Sequence, residues 1–137
     1  MQNQEYMQQI QDLLTTSRTI AVVGLSPNKS RPSNIVGRYL MDAGFQVVPV
    51  NPAQSQILST DCYPNLAAIP YKVDIVDIFR NADDVQPIVE QAIVAGARAV
   101  WMQQGIINET AAKLARDNGL ICIMDLCIKV EHARLNS

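Results

Sequence analysis

Five short apolar runs punctuate the chain, at residues 19–24, 45–50, 73–79, 98–102 and 120–124, and none of them alternates apolar with polar positions. Continuous runs of this length mark strands buried on both faces. The gaps between them follow a different period. Ile35, Val36, Tyr39, Leu40 and Ala43 recur at helical spacing from near Ser33 and stop at Gly44, where a helix C-cap glycine is expected. Val85, Ile88, Val89, Ala92 and Ile93 predict a second helix, with Asp83 and Asp84 near its positive end, Pro87 in its first turn and Gly96 after it. A third follows Asn108, runs through Ala111, Leu114 and Ala115, and ends at Gly119. A leading helix over residues 1–17 places Tyr6, Met7, Ile10, Leu13 and Leu14 on one face, a pattern equally consistent with covering the sheet and with pairing to a second copy. Residues 51–72, with three prolines, read as a loop with one short helix at 64–69.

Strand and helix therefore alternate, which predicts an α/β fold: a five-stranded parallel sheet with helices on both faces, in three layers. At 137 residues and 48% hydrophobic the chain has the size of one well-buried domain spanning 1–137. No internal repeat, low-complexity tract or linker interrupts the pattern. In an open parallel sheet a ligand binds beyond the carboxyl ends of the strands, where the strand order reverses. The exits to consider are residues 24–32, Asn51-Pro52, Phe79-Arg80-Asn81, Gln103-Gln104-Gly105 and residues 125–127.

The first exit, Gly24-Leu25-Ser26-Pro27-Asn28-Lys29-Ser30-Arg31-Pro32-Ser33, carries the chemistry. A strand running through a glycine into a helix aims unpaired backbone N–H groups and the positive end of the helix dipole at whatever lies over the turn. Lys29 and Arg31 add two cations between two prolines, with Arg18 before the strand and Arg38 in the helix after it, although the net charge is only −2. This local positive charge predicts phosphate contacts. A pI near 5.2 argues against general nucleic-acid binding, which needs a broad basic face. No apolar run approaches the roughly 20 residues that span a bilayer, and Met1-Gln2-Asn3-Gln4-Glu5 lacks a signal-peptide pattern, so a cytoplasmic protein is expected. Cys62, Cys122 and Cys127 are odd in number and lack C-x-x-C spacing, which predicts free thiols.

An NAD site of the usual kind would show G-x-G-x-x-G at this turn and an acid about 20 residues on. The turn offers only Gly24, and the second run ends Val48-Pro49-Val50-Asn51-Pro52 without an acid. The G-x-x-x-x-G-K-[ST] phosphate loop is missing too. A stiff, cationic loop suits a ligand with several phosphates.

Gly24-Leu25-Ser26-Pro27, Arg31-Pro32-Ser33, Tyr39-Leu40, Pro49-Val50-Asn51-Pro52, residues 74–80, Trp101-Met102-Gln103-Gln104-Gly105-Ile106 and Asp125-Leu126-Cys127, in this order, resemble the small bacterial and archaeal coenzyme A-binding proteins. Those are similar to the amino-terminal domain of the succinyl-coenzyme A synthetase α subunit. The resemblance runs from about residue 18 to 135 and implies a Rossmann-like, nucleotide-binding fold that holds coenzyme A or an acyl-CoA with its diphosphate over the first loop. It implies that Gly24, Leu25, Ser26 and Pro27 line the diphosphate, with Pro32 and Ser33 at the start of the helix and Lys29 and Arg31 as countercharges. Asn51 and Pro52 would flank the adenosine, Phe79, Arg80 and Asn81 would cover the ligand, and Gln103 and Gly105 would stand at the fourth exit. The family usually has Arg where this chain has Leu126.

The synthetase uses a histidine in a second domain that this sequence does not reach, so ligand binding without a self-contained catalytic site is expected. The sole histidine, His132, reads as a surface or helix-end residue, and no metal site is suggested. Trp101 and Met102 read as core, Asp77 as a structural hydrogen-bond partner or capping group, and Cys127 as inert and buried. Two classes remain: a coenzyme A-binding module without turnover, and an enzyme, either NAD(P)-dependent or completing an acyl-CoA site with another subunit. Expected partners are the ligand and a second copy or an enzyme, with no nucleic acid and no membrane.

Overall fold

The structure, a computed structural model, describes residues 4–136. In chain order its strands are β1 (Thr19–Val23), β2 (Gln46–Val50), β3 (Gln56–Ile57), β4 (Thr60–Asp61), β5 (Ile75–Ile78), β6 (Ala99–Met102) and β7 (Ile121–Met124). The helices are α1 (Gln4–Thr16), α2 (Pro32–Asp42), α3 (Val85–Ala95), α4 (Glu109–Asp117) and α5 (Ile128–Leu135), with 3-10 turns at Leu66–Ala68 and Ala82–Asp84. Five strands form one parallel sheet in the order β2-β1-β5-β6-β7, and β3 pairs antiparallel with β4. This is the parallel α/β arrangement the apolar runs predict and the Rossmann-like fold the resemblance implies. β1 is buried at all five positions, as a central strand with both faces covered must be. Pro49 falls on β2, an edge strand, where a missing N–H is tolerated.

Alternate residues of each strand feed two cores. On one face Ala21, Val23, Val76, Ile78, Val100 and Met102 meet Val85, Val89 and Ala92 of α3 and Ala111, Ala112 and Ala115 of α4. On the other, Ile20, Val22, Ile75, Trp101 and Ile123 meet Ile10, Leu13 and Leu14 of α1, Val36 and Leu40 of α2 and Ile128 of α5. The leading helix thus covers the sheet. Trp101 is fully buried, and its indole N–H donates to the Leu126 carbonyl at 2.8 Å. Among the described residues no helix is long and apolar enough to cross a membrane.

Three features depart from the sequence reading. Residues 51–72 contain the β3–β4 hairpin, and the short helix is a 3-10 turn capped by Asn65, whose Oδ1 accepts from the Ala68 N–H at 3.0 Å. α5 was not signalled by any apolar period. Asp77 is neither a hydrogen-bond partner nor a cap, because it is fully buried and neither carboxylate oxygen has a partner among the described residues. Its register neighbours explain this: the Val22 side chain has no polar atom, and the Trp101 indole N–H is already committed to Leu126. Burial pushes its carboxyl pKa well above the ordinary carboxylate range. Asp74, just before β5, accepts the backbone N–H groups of Arg18 and Thr19 at the start of β1, at 2.8 and 3.1 Å.

Candidate functional site

From β1 the chain passes through α2 to β2 on one side, and β5 then lies on β1's other side. The order therefore reverses between β1 and β5, and their carboxyl ends diverge to leave a crevice. A cavity of about 410 Å³ sits there, walled by three exits. The first supplies Gly24 and Ser26 with Arg31, Pro32 and Ser33 at the start of α2. The second supplies Phe79, Arg80, Asn81 and Ala82, and the third Gly105 and Ile106.

Gly24 is the point of closest approach between the first two exits. Its φ of +89° is one that side chains other than hydrogen rarely adopt, and a Cβ built there would overlap the Phe79 carbonyl oxygen. Beyond it the loop is held by its own polar groups. Ser26 N–H donates to Ser33 Oγ at 2.9 Å, Asn28 N–H to Ser26 Oγ at 3.1 Å, and Ser30 N–H to Asn28 Oδ1 at 3.0 Å. Arg31 N–H donates to the Asn28 carbonyl at 3.1 Å. The expected cradle of unpaired N–H groups is only partly present, because serine and asparagine side chains fold back on the Ser26, Asn28 and Ser30 donors. The cavity wall here holds Arg31 with Pro32 and Ser33 at the helix start. Arg31 occupies the N-cap position of α2 without a side-chain capping bond, directly before Pro32. Across the cavity, the Arg80 guanidinium lies 3.8 Å from Asp84 Oδ2, with both side chains about half exposed.

The third exit is braced from β7. Gly105 N–H donates to Asp125 Oδ1 at 2.7 Å, and Asp125 has a φ of +63°, a strained value for a non-glycine residue. Gln103 accepts the Ile128 N–H on its Oε1 at 3.1 Å and is 5% exposed.

Nine expected residues therefore line one cavity: Gly24, Ser26, Arg31, Pro32, Ser33, Phe79, Arg80, Asn81 and Gly105. Six do not. Leu25 is fully buried among the residues under α1, α2 and α5, and only its carbonyl belongs to the loop's polar side, accepting Asn51 Nδ2 at 3.0 Å. Asn51 is thus a brace, its Oδ1 also taking the Ala53 N–H at 2.9 Å. Gln103 ties β6's exit to α5, and Pro27 and Lys29 are exposed outside the wall. Pro52 lines an adjoining cavity of about 290 Å³ that shares Arg80 with the first. Sequence reading missed Ala82 and Ile106 in the wall and Asn34 behind it, and it counted Arg38 only as a nearby cation; Asn34 and Arg38 carried a signal, being polar and four apart on the helix that leaves the loop.

Among the described residues no group of three or more His, Cys, Asp and Glu side chains is placed to hold a metal. His132 packs edge-on to Tyr39 and Phe45, its Nδ1 lies 2.8 Å from the Tyr39 hydroxyl, and burial lowers its pKa. Burial raises the Cys62 thiol and pushes Cys122 up to about 11, so these are poor nucleophiles.

A family model described as CoA binding domain matches residues 18–133. The protein YneT of Bacillus subtilis (strain 168) is 38% identical over 125 residues, which cover 91% of this chain and 93% of YneT. ADP-forming acetate–CoA ligase I of Archaeoglobus fulgidus is 34% identical over 74 residues, covering 54% of this chain and 11% of the ligase. Among solved structures, a protein from Pyrococcus horikoshii OT3 matches with a TM-score of 0.93 at 40% identity, over 96% of this chain and 92% of that one. The dinucleotide-forming acetyl-coenzyme A synthetase 1 of Ca. Korarchaeum cryptofilum shares the fold at a TM-score of 0.73 and 24% identity, over 83% of this chain and 27% of that one.

Proposed function

We propose that this chain, which belongs to the CoA-binding domain family, binds coenzyme A or an acyl thioester of it, with the diphosphate lying between Arg31 and Arg80. The observation that carries the reading is that Arg31, Arg80 and the start of α2 line one cavity at the strand-order reversal. Guanidinium groups bind phosphate oxygens in a fixed fork geometry, and a helix start favours the same charge. The adenosine end then lies toward Pro52 in the adjoining cavity, whose wall Arg80 shares. Holding a ligand in this way calls for none of the paired acid, base or nucleophile that turnover would need. The chain acts as a carrier, sensor or regulatory partner for the thioester.

Calorimetric titration with coenzyme A, dephospho-coenzyme A and NAD tests this reading. Coenzyme A is expected to bind and NAD to bind more weakly; tighter binding of NAD would overturn it. Incubation with acetyl-coenzyme A, followed by free thiol, is expected to show no steady hydrolysis. A second reading, that the chain completes an acyl-CoA enzyme with another subunit, is favoured by its likeness to 11% of the length of an acetate–CoA ligase. Thiol release that begins only when a second purified subunit is added would select it.

A further inference from the structure

The loop after β1 is exposed from Pro27 to Pro32 and buries a single apolar anchor, Leu25. Packing does not explain its shape. Its carbonyls do: the Ser26 carbonyl accepts Asn34 Nδ2 at 2.8 Å, and the Lys29 carbonyl accepts Arg38 Nη2 at 2.9 Å. The two donors are joined, since Arg38 Nε donates to Asn34 Oδ1 at 2.9 Å. Asn34 is 1% exposed, and its amide has one orientation only, with nitrogen toward a carbonyl and oxygen toward an N–H. Arg38 stands one turn further along α2 on the same side. Its fork grips two acceptors at once, a geometry a single ammonium does not reproduce.

We propose that Asn34 and Arg38 are positioning residues that latch the 26–29 segment in its ligand-ready conformation, Arg38 acting through its hydrogen-bonding fork and not through its charge at the phosphates. This rests on the coenzyme A reading for what the loop receives. Arg38 is absent from the cavity wall, whereas Arg31 and Arg80 are in it. The latch also turns the Ser26 and Lys29 carbonyls toward donors, so that their negative ends do not oppose a bound phosphate. An ordered loop has less freedom to lose on binding, which raises affinity without any new contact.

Coenzyme A titration of Arg38→Lys, Arg38→Ala and Arg31→Ala, together with hydrogen exchange of the loop amides in the absence of ligand, decides it. Arg38→Lys keeps the charge and is expected to lose about as much affinity as Arg38→Ala, on the order of tenfold. In both, the amides of Ser26, Asn28, Ser30 and Arg31 are expected to exchange faster than in the unaltered chain. Arg31→Ala is expected to weaken binding while leaving their exchange unchanged. Full affinity in Arg38→Lys with loss in Arg38→Ala would show that Arg38 acts by charge and overturn the latch, and so would unaltered loop exchange in both. Because exchange is read without ligand, an unaltered chain that fails to bind coenzyme A defeats the functional reading alone. Asn34→Asp, which faces the Ser26 carbonyl with an acceptor, is expected to give the same faster exchange.

Discussion

Two of this molecule's hollows make a contrast, and the larger of the pair is the less informative. The groove between α3 and the segment leading into β5 holds about 540 Å³, against about 410 Å³ for the cleft over β1 and β5. Its origin is topological. Where β1 reaches β2 through α2, the crossover from β2 to β5 has a two-stranded hairpin and a 3-10 turn in place of a helix. Leu66, Ile69 and Tyr71 therefore cover the sheet beside α3 less completely than a helix would, and Val76 of β5 forms part of the floor. Among the described residues the groove wall carries Glu90 and no cation, while the cleft wall carries Arg31 and Arg80. Volume follows from a missing layer, whereas convergence of charge and backbone follows from three strand exits meeting at one point.

The strongest way to break this contrast is at Gly24. Ala there needs a φ of +89° and a Cβ that overlaps the Phe79 carbonyl, so the first two exits must move apart. Strain of this kind costs roughly 1–3 kcal/mol, and the cleft widens where the ligand lies. Gly24→Ala is expected to lower coenzyme A affinity about a hundredfold or more and melting by several degrees. Normal affinity in this variant would remove the cleft as the site.

β5 sets the two hollows apart a second time: Val76 faces the groove, and Asp77 faces the opposite core without a hydrogen-bond partner among the described residues. Burial raises the Asp77 pKa well above its unfolded value, so the unfolded chain gives up this proton first as pH rises. Stability is therefore lost as pH climbs above the ordinary carboxylate range, by about 1.4 kcal/mol per pH unit, until the folded value is reached. Asp77→Asn removes that slope. The two chains should melt together near ~pH 4 and diverge above it, the variant being the more stable. Parallel melting curves would show that Asp77 does not titrate between the folded and unfolded states.

Arg31→Ala sharpens the contrast on the cleft side alone. A lost charged hydrogen bond is worth roughly 1.5–3 kcal/mol, so affinity for coenzyme A is expected to fall about tenfold or more. The remaining binding should also depend less steeply on salt, because an exposed charge has been removed. Melting of the empty protein should stay within about 0.5 kcal/mol of its original stability, since Arg31 is exposed and makes no side-chain capping bond. A lower melting point with unchanged affinity would make Arg31 structural.

The sheet was legible because strands buried on both faces leave continuous apolar runs, and Gly44, Gly96 and Gly119 end helices with the positive φ values their positions suggested. α5 was not, because it buries only Ile128 and Glu131, the latter paired with Arg134 at 3.1 Å, and exposes Val130. The β3–β4 turn was hidden for a related reason: Leu58 and Ser59 take positive φ values without the glycine or asparagine that usually announces such a turn. At the site, the cations and the glycine were visible as residue types. Which way a side chain points was not, so Leu25 and Gln103 were grouped with neighbours they sit behind. The folding back of Ser26, Asn28 and Ser33 onto the loop's own N–H groups depends on three-dimensional closure, to which no spacing rule refers.

The smallest expected effect is on the groove side. Val94 of α3 lines the groove and is 88% exposed, so replacing it removes almost no buried surface. Val94→Lys places a cation in the wall that has none among the described residues, while leaving the three strand exits untouched. Surface changes of this kind usually stay within about 0.5 kcal/mol, and lysine is a slightly better helix former than valine. Melting is expected to be unchanged or marginally higher, and coenzyme A affinity unchanged to within about twofold, on the same 0.5 kcal/mol scale. The measurement is the titration used for Arg31→Ala, run side by side. If Val94→Lys weakened binding as much as Arg31→Ala, the groove would be part of the ligand's path, and the division between a polar cleft that binds and an apolar groove that does not would fail.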